Sequence, residues 1–224
     1  MTTMRGQPIL RRTIVGLAAT LSSAVTGVLI GSAIGVVEGH RMAPWMIARA
    51  TGISAYLLLV LLVVLGLLLS HPSRTRIARP NPATRIRLHI VLAALTLALT
   101  IAHIVVLATD RFAGVGWRGA SLPMQSAYRP VAVTLGVLGA WAGLVVGSTA
   151  LLAGHLPQRL WWRVHKVAIV ALLLVWLHGV LAGGDTPMLR WLYLSTGGLI
   201  AVVALSRYAA RTPAEQIAHQ EADR

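Results

Sequence analysis

Six times the chain runs on for about twenty residues or more without an acidic side chain: residues 14–37, 46–70, 87–109, 130–154, 164–183 and 188–209. A helix needs about 20 apolar residues to cross a hydrocarbon core of about 30 Å, and it satisfies every backbone amide within its own segment where no water is present. The runs therefore predict an all-α fold, a polytopic membrane protein built as a six-transmembrane-helix bundle. Composition agrees, since 56% of the residues are hydrophobic and only 12% are charged, far too apolar for an ordinary soluble domain. The connections are short and punctuated by Pro, Gly and Arg, so none can hold a second domain. The expected division is an N-terminal segment 1–13, one membrane domain over 14–209, and a polar tail 210–224.

A net charge of +14 invites a nucleic-acid reading, but that requires a basic patch on a soluble fold, and here the arginines separate hydrophobic runs. Topology accounts for them. Arg41, Arg49, Arg111, Arg118, Arg129 and Arg190 fall on one side of the six-helix arrangement, and the other fourteen of the 20 basic residues on the opposite side. The positive-inside rule then places both termini in the cytoplasm of a multi-pass protein of the cell membrane. Glu38, Asp110 and Asp185 collect on the outer side. Trp45, Trp117, Trp161, Trp162 and Trp191 lie near predicted helix ends, where indole suits the membrane interface. The first run has the basic start and small residues of a signal peptide, yet it exceeds the usual apolar core of about 7–15 residues, which favours a retained helix.

The chain has no cysteine, which excludes thiolate-bound zinc, iron–sulfur clusters, covalent c-type haem and disulfides. Four histidines, however, lie in two of the apolar runs: His89 and His103 in the third, His165 and His178 in the fifth. An ionisable group at membrane depth is costly and typically faces a bundle interior or a ligand. His89 and His103 are 14 residues apart, roughly 21 Å along a helix and about 40° from a whole number of turns, so both address one neighbour. His165 and His178 are 13 apart with nearly the same rise, but an ideal helix leaves them about 140° out of register. Tilt, a distortion in the Val-Ala-Ile-Val-Ala stretch, or different approach directions to two rings would absorb that offset.

The third and fifth helices cross in the same direction, so His89 pairs with His165 at an inner level and His103 with His178 at an outer one. Two neutral imidazoles fill both axial positions of a haem iron, leaving no open site for oxygen and favouring one-electron exchange. The expectation is two stacked haem b sites, with these four histidines as metal ligands and Arg85, Arg87, Arg163 and Lys166 near the inner pair to neutralise propionates. The alternative is a haem-free transporter or channel that uses the histidines as a proton relay. A relay more often includes buried carboxylates, and none of the six acidic residues lies in a predicted span. His40, His71, His155 and His219 read as interfacial or solvated residues. Glu38, His40, Asp110 and Asp185 form a weaker candidate for outer metal binding. Glycines recur every fourth residue at Gly27, Gly31 and Gly35 and again at Gly139, Gly143 and Gly147, faces suited to close helix packing or, in the fourth helix, to a flat ligand.

Over residues 45–205 the chain resembles the ferric reductase-like transmembrane domain family. This family includes the membrane parts of NADPH oxidases and metalloreductases and the haem-binding subunit of periplasmic methionine sulfoxide reductase. The resemblance rests on RATGISAYLLLVLLVVLGLLLS, the 14-spaced His89 and His103, YRPVAVTLGVLGAW, and WWRVHK with LHGVLAGGD carrying the 13-spaced His165 and His178. It implies that the four histidines are axial ligands and that electrons pass from the cytoplasmic to the outer haem. The activity implied is that of an oxidoreductase, or of the electron-transfer subunit of one. Only RTPAEQIAHQEADR follows the sixth run, and no Rossmann-type glycine fingerprint follows a strand. Any FAD or FMN thus belongs to a separate partner. The donor expected is a flavoprotein reductase, a quinol or a soluble carrier, and the acceptor is ferric iron or an outer redox protein.

Overall fold

The computed structural model describes residues 42–72 and 81–210, and these are helical with short connections. Seven helices follow in order: α1 Ala43–Ser70, α2 Pro82–Thr109, α3 Gly116–Ser121, α4 Pro130–Leu151, α5 Gln158–His165, α6 Val167–Ala182 and α7 Thr186–Ala209. Five segments are long and apolar enough to cross a membrane: α1, α2, α4, the α5–α6 unit Gln158–Ala182, and α7. They coincide with the second to sixth runs of the sequence. The first run, 14–37, with Gly27, Gly31 and Gly35, lies outside the described residues, as do Glu38, His40 and His219.

Helix starts follow from local chemistry. Proline opens α1, α2, α4 and α7 at the first or second position, where its missing N–H has no intrahelical partner to lose. In α2 the Asn81 side chain accepts from the Thr84 amide at 2.8 Å, satisfying one orphan donor of the first turn. This cap starts α2 at Pro82, ahead of the apolar run at 87, so Arg85 and Arg87 are helical residues.

The fifth run is not one helix. It breaks at Lys166, between His165 at the end of α5 and Val167 at the start of α6. A tightened bond from the Ile169 amide to the Lys166 carbonyl, 3.1 Å, marks the break. At the far end of α6 each last-turn carbonyl finds a donor. Gly179 accepts from the Gly183 amide at 3.2 Å. Val180 accepts from the Thr186 hydroxyl at 2.8 Å, Leu181 from the Arg129 guanidinium at 2.7 Å, and Ala182 from the Tyr128 hydroxyl at 2.9 Å. These partners satisfy carbonyls that have no acceptor role left within the helix, as a helix end requires.

Two helix pairs pack closely along their lengths, α1 with α2 and α4 with α6, and α1 joins the pairs through α6 and α7. Small residues permit this: Ala98 and Ala102 are the most deeply buried positions of α2 together with Val106, and close backbone approach is how helices gain contact when lipid is as apolar as the side chains. Tyr56, Val60, Val63 and Leu67 of α1 meet Leu172 of α6 and Tyr193 of α7 in the main buried cluster. Leu61, Val145, Leu173, Val202 and Leu205 stay exposed, as expected of lipid-facing positions. The backbones of α2 and α6 barely approach one another, and this leaves a slot between the two pairs.

Candidate functional site

The slot between α2 and α6 is bridged by imidazoles. His89 meets His165 with ring centroids 6.2 Å apart and planes inclined by 58°, and His103 meets His178 at 6.4 Å and 76°. The pairing expected from the sequence, first with first and second with second, is the pairing the structure brings together. His165 and His178 both meet α2 histidines despite the 13-residue register, and the one interruption between them is at Lys166, whose backbone stays in the right-handed helical region. It falls immediately before the Val-Ala-Ile-Val-Ala stretch.

Backbone carbonyls fix the His103 end. His103 Nδ1 lies 2.6 Å from the Ala48 carbonyl, and His178 Nδ1 lies 2.8 Å from the Ala132 carbonyl. A carbonyl can only accept, so Nδ1 carries the proton in both rings and Nε2 keeps its lone pair for a ligand. Both contacts need a glycine four residues on. A Cβ at Gly52 would stand 2.8 Å from His103 Nδ1, and one at Gly136 would stand 2.8 Å from His178 Nδ1. Gly66 plays a milder version beside His89, where a Cβ would meet Cε1 at 3.2 Å. His165 instead rests against Trp161, rings nearly parallel at 4.9 Å and 16°. The Nδ1 atoms of His89 and His165 are buried without a hydrogen-bond partner.

The separation discriminates among metal geometries. A metal–nitrogen bond of about 2 Å plus about 1.1 Å from ring nitrogen to ring centre puts each centroid about 3.1 Å from a ligated metal. Two rings then stand about 6.2 Å apart in trans and about 5 Å apart at a tetrahedral angle. The observed 6.2 and 6.4 Å fall nearer the first value, a spacing at which two rings could hold one haem iron between them. Among the described residues no group of three or more His, Cys, Asp or Glu gathers to form a different kind of metal centre.

Of the basic residues expected beside the inner pair, Arg85 is buried one turn before His89, whereas Arg87, Arg163 and Lys166 are exposed. At the opposite end, Asp185 pairs with Arg49, whose guanidinium also lies 5.9 Å from the Trp45 ring. Asp110 accepts from the Phe112 amide. These two acids serve an ion pair and a turn. Trp45 packs edge-on against Phe112 and Tyr128, closing the His103 end with the 110–129 connection. Gly143 and Gly147, candidates for a ligand-facing surface, have no atom of another element within reach of a Cβ. On α4 the glycine against a histidine is Gly136, outside that stripe.

Sequence reasoning missed Ala48, Gly52, Gly66, Ala132, Gly136 and Trp161 as parts of the site. The signal available was the repeated Ala-x-x-x-Gly at 48–52 and 132–136, which becomes meaningful only once each is set beside its histidine. The fold and site thus describe a multi-pass membrane protein with two histidine pairs at different levels of one slot. The chain matches no protein-family model, no curated protein and no solved structure.

Proposed function

We propose that this protein is a di-haem b transmembrane electron-transfer protein of the ferric reductase-like kind, passing single electrons from a cytoplasmic or membrane donor to an outer acceptor. The observation that carries the reading is the spacing of the two imidazole pairs, each of which could hold one iron between α2 and α6. His89 and His165 would hold one haem, and His103 and His178 the other. Haem, when bound between such a pair, would supply one-electron exchange. The chain's own residues orient the rings, hold the protons of His103 and His178 on Nδ1, and exclude water with apolar helices. With the basic loops in the cytoplasm, the His103/His178 pair is outermost. The donor is then a flavoprotein reductase, a quinol or a soluble carrier, and the acceptor is ferric iron or an outer redox protein.

The test is a reduced-minus-oxidised optical spectrum with pyridine haemochrome quantification on protein made in haem-replete cells. The expected result is about two b haems per chain, falling to about one in His103→Ala. A colourless wild type would refute the proposal and leave the histidine relay to be tested by proton flux.

A further inference from the structure

Three of the four rings face the same local device, and it is completed at only one end of the slot. In a helix, the carbonyl of residue i accepts the amide of residue i+4 and keeps a second lone pair. A neighbouring imidazole can reach that lone pair only if residue i+4 has no side chain in the way. Ala48 with Gly52, and Ala132 with Gly136, satisfy this condition, and the bonds form at 2.6 and 2.8 Å. Leu62 stands at the same offset before Gly66 and its backbone interacts with the His89 ring, but the contact falls short of the geometry of a full hydrogen bond at Nδ1. His165 has no such device: it stacks on Trp161, and its Nδ1 is buried without a partner.

We infer that the two completed backbone clasps, Ala48–Gly52 and Ala132–Gly136, make the His103/His178 centre the one of lower reduction potential and firmer hold, and that the unclasped His89/His165 centre has the higher potential. The inference rests on the di-haem reading. A carbonyl that accepts the Nδ1 proton fixes ring orientation and raises the basicity of Nε2. A more basic axial ligand stabilises the oxidised metal, so the potential falls. Gly52 and Gly136 are positioning residues in this scheme. They touch the ligand rings and act through them.

A potentiometric titration of the haem-loaded protein tests this directly. Wild type should titrate as two one-electron components. His165→Met places a thioether on the unclasped centre, which raises its potential, and the component that moves should be the higher one. Gly52→Ala and Gly136→Ala each drive a methyl into an imidazole; each should shift the lower component upward, leave the higher in place, and weaken haem retention about 10- to 100-fold at that centre. Movement of the lower component in His165→Met would overturn the assignment even if neither glycine variant folds. Glycine variants that load two haems with both potentials unchanged would overturn the clasps alone. A wild type without haem would overturn this inference together with the proposed function.

Discussion

The joint between α1 and α7 offers a sharp test of how this bundle is held. The Tyr56 hydroxyl bonds the Thr196 hydroxyl, and Thr196 itself donates to the Leu192 carbonyl at 2.7 Å. The direction is thereby fixed: Tyr56 donates and Thr196 accepts. Thr196→Val removes the acceptor with almost no change of volume and strands a tyrosine hydroxyl on a side chain only 5% exposed. A stranded buried donor costs about 1–3 kcal/mol, although interhelical hydrogen bonds in membranes average about 0.6 and reach about 1.7 kcal/mol. We expect about 1–1.5 kcal/mol for Thr196→Val, close to tenfold in the folding equilibrium. Tyr56→Phe leaves Thr196 still bonded to Leu192 and should cost about 0.5 kcal/mol. The double variant should resemble Tyr56→Phe, because no donor is then stranded. The assay is reversible unfolding in mixed detergent micelles, read as a double-mutant cycle. Equal costs for the two single variants, or a double variant that merely sums them, would refute the assigned direction.

Four further outcomes follow from the geometry. On the di-haem reading, Gly136→Leu should lose the haem assigned to His178, measured by pyridine haemochrome, since an imidazole stands where its Cβ would go. Arg129→Ala removes the donor to the exposed Leu181 carbonyl and should destabilise the α4–α6 corner by about 0.5 kcal/mol in the same micelle assay, a loss above about 2 kcal/mol contradicting a solvent-accessible cap. Asp185→Asn, which weakens the half-exposed pair with Arg49, should change stability by no more than about 1 kcal/mol and diminish in effect at high salt. Gly179→Ala places a methyl 2.9 Å from the Tyr193 hydroxyl and should cost more stability than Gly198→Ala, where the space is open.

The positions of the spans were legible because hydropathy and length decide them, and α1, α2, α4 and α7 fall where the apolar runs fall. Their starts were less so. The apolar run of α2 begins near 87, but Asn81 and Pro82 set the helix start through capping and a fixed φ, chemistry that hydropathy ignores. The histidine pairing was legible from parallel crossing and spacing, while the break at Lys166 was visible only as an unsatisfied register requirement. The clasps were not legible. A glycine 51 residues from its histidine, as Gly52 is from His103, announces nothing until the helices are laid side by side, and the more regular stripe at Gly139, Gly143 and Gly147 shows no histidine near a Cβ position.

The two ends of the slot differ for a reason that lies in the helices behind it. Gly52 and Gly66 of α1 are 14 residues apart, matching His103 and His89 of α2, so one straight helix pair presents a glycine to each ring. On the other side, Gly136 of α4 faces His178, but 13 residues further on, at the spacing of His178 and His165, stands Thr149, and the helix is interrupted at Lys166. His165 therefore belongs to α5 and takes its support from Trp161 of that same helix. A ring bonded to the backbone of an adjacent spanning helix is fixed by the packing of the whole bundle. The Tyr56–Thr196 joint and the capped end of α6 both strengthen that packing around His103 and His178, so the best-supported end of the slot is the one on which the clasps close.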